Sequence, residues 1–164
     1  MQGEPCRLTV QGSDRLTAGQ TYWITARTRD EVPVFGDFQA ARTLIRVLQE
    51  ETRRGGHRSL AYVVLPSLVH WLVQPGRLAL PLLAGRIKAR TALRLGRPIW
   101  QAGLHGQILG PRDQPVALAR YLLTGPLRAG LASRLGLYPH WDAAWLPGPS
   151  ALPGSGQARL DGPS

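Results

Sequence analysis

The segment from Arg58 to Val73 constrains the fold of this chain more than any other part of the sequence. Both of its halves are apolar and rich in β-branched and aromatic residues, which favours strands. Pro66-Ser67 lies between the halves and has the composition of a tight turn. We therefore predict an antiparallel hairpin with strands at Arg58–Leu65 and Leu68–Val73, and with His70 on the second strand.

Hydrophobic periodicity assigns the elements on either side of this hairpin. An amphipathic helix follows Asp37, a suitable N-cap, because Ala41, Leu44, Ile45 and Leu48 have the i, i+3, i+4, i+7 spacing. Further patterns predict a strand at Thr21–Thr28, a helix at Leu78–Leu95, a strand at Trp100–Leu109 and a helix at Gln114–Thr124. The order β-α-β-β-α-β-α predicts an α+β domain, with a ferredoxin-like antiparallel sheet and helices packed on one face.

Composition divides the chain into three parts. Pro, Gly and Ser dominate the last stretch, so we predict a flexible tail at 147–164, a single domain at 16–146 and an N-terminal arm at 1–15. Cys6 is the only cysteine, which excludes an intrachain disulfide. The sequence has neither a signal-peptide pattern nor an apolar run of roughly 20 residues, so we expect a cytoplasmic protein without a membrane span.

Positive charge is concentrated in the middle of the chain. The formal net charge is +10, and no Asp or Glu occurs between Thr52 and Arg112. Four arginines recur at i, i+4, i+8 and i+11 in and just after the predicted second helix. With the neighbouring lysine they favour a nucleic-acid-binding surface formed by Arg86, Lys88, Arg90, Arg94 and Arg97. Two other interpretations stay open: a solvated helix face, and a compositional preference for Arg over Lys.

Five segments, in this order, resemble the REP-associated tyrosine transposases. These form a branch of the single-strand transposases named for a His-hydrophobic-His (HUH) motif. The resemblance covers about residues 16–145. The segments are an opening strand at Gly19–Asp30, a hairpin at Tyr62–Val73, a fourth strand with Trp100-Gln101 and His105, a helix and turn at Arg120–Leu131, and an aromatic patch at Tyr138–Trp141.

The resemblance implies a mechanism and a substrate. In that family a helix tyrosine attacks a DNA phosphodiester and forms a 5′-phosphotyrosine link, assisted by a divalent metal such as Mg²⁺ or Mn²⁺. By position it implies Tyr121 as the nucleophile and His70 as the second motif histidine and metal ligand. The implied partner is single-stranded or hairpin DNA from bacterial mobile elements, bound by a monomer or a homodimer.

The sequence departs from the family at the metal site. The first motif histidine falls on Leu68, and the polar ligand one helical turn after the nucleophile falls on Gly125. Neither residue offers a side-chain ligand, and one imidazole is a poor anchor for a hard divalent ion. His105 and Gln107 share a face of the predicted fourth strand and are candidate replacement ligands. We expect weak or lost metal binding and impaired cleavage.

Three functional hypotheses follow. The leading one is a transposase-family protein that binds single-stranded or hairpin DNA, with impaired DNA cleavage and joining because of Leu68 and Gly125. The alternative is a non-catalytic nucleic-acid-binding module derived from such an enzyme. A third hypothesis, from a different class, is a structural or protein-binding domain whose basic charge has no nucleic-acid partner.

Overall fold

One antiparallel sheet of six strands forms the centre of the fold. The structure is a computed structural model that describes residues 7–9, 20–109, 113–134 and 137–144, so the predicted tail and most of the predicted arm lie outside it. Within those ranges, no helix has the length and apolar composition to cross a membrane. The elements are β1 (Arg7–Thr9), β2 (Tyr22–Arg27), α1 (Phe38–Arg54), β3 (His57–Leu65), β4 (Leu68–Pro75), α2 (Leu80–Leu95), β5 (His105–Ile108), α3 (Pro115–Leu123), α4 (Gly125–Arg128) and β6 (Trp141–Ala143).

The strands lie in the order β1-β5-β2-β4-β3-β6, and each neighbouring pair is antiparallel. The predicted α+β class and the antiparallel sheet are confirmed, as is the order of the elements from β2 to α3. The fourth predicted strand is shorter than expected. Trp100 makes only an isolated bridge with Thr28, and its ring packs against Phe35, so β5 begins at His105.

Helices cover both faces of the sheet. On one face, Tyr22, Ile24 and Trp71 pack with apolar residues of α1 and α2 in the larger core cluster. On the opposite face, Val63 and Leu72 pack with Leu122 and other residues of α3 in a second cluster. The sequence predicted helices on one face, which holds for α1 and α2. The extra helix α3 takes the other face because β3 and β4 are apolar at consecutive positions and bury both of their sides.

The start of α1 is fixed by Asp37, as predicted. Its side chain accepts a hydrogen bond from the backbone N–H of Ala40 at 2.9 Å. The substitution Asp37→Ala is therefore expected to lower the free energy of unfolding by about 1 kcal/mol, the usual contribution of an N-cap. Urea denaturation measures this loss. Gln39→Ala, in the same turn and exposed, is the control, and an equal loss in both variants would contradict the capping role.

Candidate functional site

His70 and Tyr121 lie on the same side of the sheet, with Trp23 between them. The ring of Trp23 contacts His70 edge-on at a centroid distance of 5.6 Å and Tyr121 at 6.0 Å. His70 is on β4, Trp23 is on the adjacent strand β2, and Tyr121 comes from α3 above them. We call this side of the sheet, defined by Trp23, His70 and Tyr121, the Tyr121 face. The sequence predicted a histidine and a tyrosine together here, and the structure brings them together through one aromatic ring.

The Tyr121 side chain is half-exposed and held by an arginine. It is 51% exposed. Nη1 of Arg128 donates a hydrogen bond to the Tyr121 hydroxyl oxygen at 2.9 Å, and the guanidinium carbon lies 4.3 Å from the ring centroid, a cation–π contact. The hydroxyl group is thus accessible from solvent and already bonded to a cation. A group placed in this way can contact a phosphate together with its arginine neighbour.

His70 is held as a neutral imidazole. Nε1 of Trp23 donates to His70 Nδ1 at 3.3 Å, and Thr25 Oγ1 lies 2.8 Å from the same nitrogen. An indole N–H only donates, so Nδ1 accepts and the proton of the neutral ring is assigned to Nε2. Burial, and then the charges of Arg27 and Arg128, lower the pKa of His70 to about 4. At neutral pH the outer nitrogen of His70 is therefore a hydrogen-bond donor.

This arrangement does not fit a divalent metal. Metal binding through Nε2 would require its proton to move to Nδ1, where it would donate to Thr25 Oγ1 at 2.8 Å and the indole of Trp23 would lose its acceptor. Leu68, two residues before His70 on the same side of β4, has an aliphatic side chain, and Gly125 has none. Arg27 and Arg128 add positive charge close to the imidazole. Among the described residues, no group of three or more His, Cys, Asp or Glu residues could hold a metal ion.

The two candidate replacement ligands are not adjacent to His70. His105 pairs with Thr25, and Thr25 pairs with His70 across the sheet, so the three residues form one row. Two strand spacings, roughly 10 Å, therefore separate the backbones of the histidines, and Thr25 bonds to the facing nitrogen of His70. Gln107 pairs with Trp23 in the next row on the same side. Metal binding by these residues stays a prediction.

The basic row of α2 lies on the opposite face and is partly neutralised by α1. The contacts join Arg86 to Glu51 at 3.2 Å, Arg90 to Glu51 at 2.6 Å and to Glu50 at 2.5 Å, and Arg94 to Glu50 at 2.7 Å. Hydrogen bonds from Arg94 and Arg90 lower the pKa of Glu50 to about 2. Three of the five cations predicted to bind nucleic acid are thus engaged with carboxylates.

The other two cations of the row differ from these three. Lys88 donates to the carbonyl oxygens of Gln101 at 2.9 Å and Gly103 at 2.6 Å, so it holds the loop before β5. Arg97 is exposed, after the end of α2. Nucleic-acid binding by this row stays a prediction, and the ion pairs weaken its physical basis.

Sequence reasoning did not assign Arg27, Thr25 or Arg128 to the site. Arg128 lies on α4, beyond the predicted end of the helix at Thr124, so helical spacing from Tyr121 did not indicate it. The side chains of Arg27 and Thr25 alternate with the inward-facing residues of β2. Only the pairing of β2 with β4 shows that they lie on the same side of the sheet as His70. Tryptophan rings can stack on unpaired bases, and the ring of Trp23 is only partly buried. Trp71 is buried, and the indole of Trp100 bonds to the carbonyl of Lys88.

The lowered pKa of His70 predicts a pH dependence. Because the folded state favours the neutral imidazole, its stabilising contribution is complete above pH about 6.5 and is lost as the pH falls towards 4. NMR titration of the His70 ring should give a pKa well below 6.5. The groups facing the ring are Trp23, Thr25, Arg27 and Arg128. In His70→Gln, unfolding free energy should fall less between pH 7 and pH 4.5 than in the parent. An unshifted His70 titration would contradict the lowering of its pKa by burial and by the charges of Arg27 and Arg128.

The solved structures that match this chain include two described as transposases. One is a REP-associated tyrosine transposase bound to a REP hairpin, with a TM-score of 0.69 and 18% identity over 80% of this chain and 81% of that chain. The other is a protein from Deinococcus radiodurans R1 described as a candidate transposase, with a TM-score of 0.48 and 19% identity over 68% of this chain and 94% of that chain. Neither a protein-family model nor a curated protein sequence matches the chain. The chain therefore has a transposase-like fold, and the resemblance to REP-associated tyrosine transposases is confirmed at the level of the fold.

Proposed function

We propose that this protein binds hairpin or single-stranded DNA on the Tyr121 face, as a transposase-type protein whose DNA cleavage and joining are impaired. The observation that carries the proposal is the half-exposed Tyr121 hydroxyl, bonded to Arg128 and placed beside Trp23 and His70. The similar fold solved with a REP hairpin supports it, and so does the net charge of +10.

The chemistry of Tyr121 explains why binding and cleavage are separated in this proposal. A phenol with an ordinary pKa near 10 is a weak nucleophile at neutral pH, and phosphoryl transfer requires stabilisation of the charge that develops on the phosphate. Leu68 and Gly125 remove the two side-chain ligands that would help hold a metal in the related enzymes. The parts required to bind DNA are retained while the metal-dependent part of the chemistry is lost.

A salt titration of DNA binding tests the first half of the proposal. The full chain is titrated against a labelled hairpin with a single-stranded extension, at two salt concentrations, with a blunt duplex of the same length as control. We expect preferential binding to the hairpin and a steep loss of affinity with salt, because phosphate contacts release counterions. No hairpin binding at low salt would overturn the DNA-binding proposal and favour the protein-binding domain.

A cleavage assay with Mn²⁺ tests the second half. Parent and Tyr121→Phe are expected to give equally little cleaved or covalently linked DNA. More product from the parent would show a working tyrosine nucleophile and would refute the proposed impairment. Equal background in both proteins, with hairpin binding intact, supports the proposed impairment; complete loss of Tyr121 chemistry is its limit, the alternative of a non-catalytic nucleic-acid-binding module, which Leu68 and Gly125 favour.

The α2 row is the rival DNA-contacting surface. Arg97→Gln and Lys88→Gln remove the two cations of the row that have no carboxylate partner among the described residues. If the Tyr121 face binds DNA, the affinity of these variants for the hairpin should stay within a few-fold of the parent. A larger loss of affinity would show that DNA binds to α2 instead.

A further inference from the structure

The two faces of the sheet differ in how their arginines are paired. On the α1–α2 face, Arg86, Arg90 and Arg94 all contact Glu50 or Glu51. On the Tyr121 face, neither Arg27 nor Arg128 contacts a carboxylate within the described ranges. Among the described residues, three arginines of α2 are therefore paired with carboxylates, and the two arginines next to Tyr121 and His70 are not.

Arg27 and Arg128 approach His70 from two directions. Arg27, at the end of β2, is the register partner of Leu68, the position of the first motif histidine. Arg128, at the end of α4, donates to the Tyr121 hydroxyl and follows Gly125, the other lost ligand position, by three residues. Arg27 follows Thr25 by two residues on β2, and Thr25 is the register partner of His70, so the Arg27 side chain is on the same side of the sheet as the imidazole. Both arginines therefore belong to the Tyr121 face, one on β2 and one on α4.

The donors at this location suit an anion. Arg128 uses one N–H on the Tyr121 hydroxyl at 2.9 Å and has a long second contact, 3.5 Å, to the Tyr121 carbonyl. A guanidinium has five N–H groups, so donors remain for another acceptor. The neutral ring of His70 donates through Nε2, because Nδ1 accepts from Trp23. A divalent cation at this place would be repelled by both arginines, whereas a phosphate oxygen would meet several donors.

We propose that Arg27, Arg128 and His70 form a phosphate-binding site that holds a DNA phosphate beside Tyr121 without a divalent metal. This inference rests on the proposed DNA binding and specifies its chemistry. The two guanidiniums supply the charge that the metal ion supplies in the related enzymes, and His70 adds a neutral donor. The ligand is a phosphate group of a DNA strand, either an internal phosphodiester or a terminal 5′-phosphate.

Binding in the presence and absence of metal tests this site. Fluorescence anisotropy of the full chain with a labelled hairpin is measured in excess EDTA and in excess Mg²⁺ at matched ionic strength. We expect equal dissociation constants in the two buffers. Hairpins with a 5′-phosphate or a 5′-hydroxyl distinguish a terminal phosphate from an internal phosphodiester as the ligand. Only a site for a terminal phosphate should bind the 5′-phosphorylated hairpin more tightly.

Charge-removal variants identify the residues. Arg128→Gln and Arg27→Gln are each expected to weaken binding about 10-fold or more, as for a lost charge-assisted hydrogen bond. Each should also lower the slope of log affinity against log salt by about one. Arg46→Gln, an equal charge change at an exposed position of α1 on the opposite face, is the matched control. Arg128→Lys keeps the charge, so it should keep the salt slope. Thermal unfolding verifies that each variant is folded.

Each outcome decides between the two proposals. Metal-independent binding that both glutamine variants weaken, and that Arg46→Gln leaves unchanged, supports the site. Binding that requires Mg²⁺ overturns the metal-independent site but leaves DNA binding in place. Binding in EDTA that Arg27→Gln and Arg128→Gln do not alter overturns the assignment of these arginines. No hairpin binding in either buffer overturns the proposed function and this inference with it.

Discussion

The variant Glu51→Gln is expected to lower the free energy of unfolding by about 3 kcal/mol, because it breaks a buried ion-pair cluster. Glu51 is 2% exposed, and its carboxylate contacts Arg90 at 2.6 Å, Arg86 at 3.2 Å and Arg54 at 3.5 Å. The arginines are partly exposed and can regain water, so the loss should fall at the lower end of the range for buried pairs. Domains of this size are stable by about 5–15 kcal/mol, so such a loss is severe.

Urea denaturation of Glu51→Gln and Glu50→Gln measures this contribution. Glu50 lies next to Glu51 and also pairs with Arg90, but it remains partly exposed to solvent. Its replacement should shift the unfolding midpoint much less, since an exposed pair exchanges readily with water. Equal losses in both variants would show that the burial of Glu51 does not determine its contribution.

The double variant Leu68→His with Gly125→Asn is expected to bind Mn²⁺ at least about 100-fold more tightly than the parent. Residue 68 precedes His70 by two positions on β4, so the new imidazole would be on the same side of the strand. At Gly125, an added Cβ would meet Leu65 Cδ1 at 3.6 Å, an ordinary contact, so the backbone accepts a side chain there. Outer-shell groups alone change metal affinity about 10- to 100-fold, and two added ligands should exceed that.

Isothermal titration calorimetry with Mn²⁺ compares the parent, the two single variants and the double variant. The single variants should gain less than the double variant, because a hard divalent ion requires several protein ligands. Adding Arg27→Gln to the double variant should tighten binding further, since it removes a cation paired with position 68. A double variant that binds Mn²⁺ no better than the parent would show that Leu68 and Gly125 are not what prevents metal binding.

Much of the fold could be predicted from the sequence because it is encoded in local periodicity. The apolar spacing after Asp37 predicts α1, and the structure places this helix at Phe38–Arg54. The β-branched runs around Pro66-Ser67 predict β3 and β4, which the structure extends to His57–Leu65 and Leu68–Pro75. The spacing of apolar residues along a helix or strand shows which of its sides is buried, and this spacing can be read from the sequence alone. The fourth strand was predicted too long because Trp100 packs by its ring rather than by strand pairing.

The candidate site was predictable only in part. His70 and Tyr121 could be placed by their motif spacing, and the structure joins them through Trp23. Arg128 contacts Tyr121 only because α4 packs beside α3. Arg27 lies opposite Leu68 only because β2 pairs with β4, and no spacing in the sequence relates these two residues. The state of the His70 ring was also inaccessible from the sequence, because it depends on one donor from a neighbouring strand.

The sequence by itself determined the order of the elements from β2 to α3 and the apolar interior, and its resemblance to the transposases predicted lost metal-ligand positions at Leu68 and Gly125. The tertiary structure decided which arginines are paired with carboxylates. The span from Thr52 to Arg112 contains no acid, which made its arginines the expected DNA-binding surface. Folding brings Glu50 and Glu51, outside that span, onto these arginines and leaves Arg27 and Arg128 without carboxylates within the described residues. Ion pairing depends on distance in space, and the strands and helices bring together residues that are about 40 positions apart in the chain.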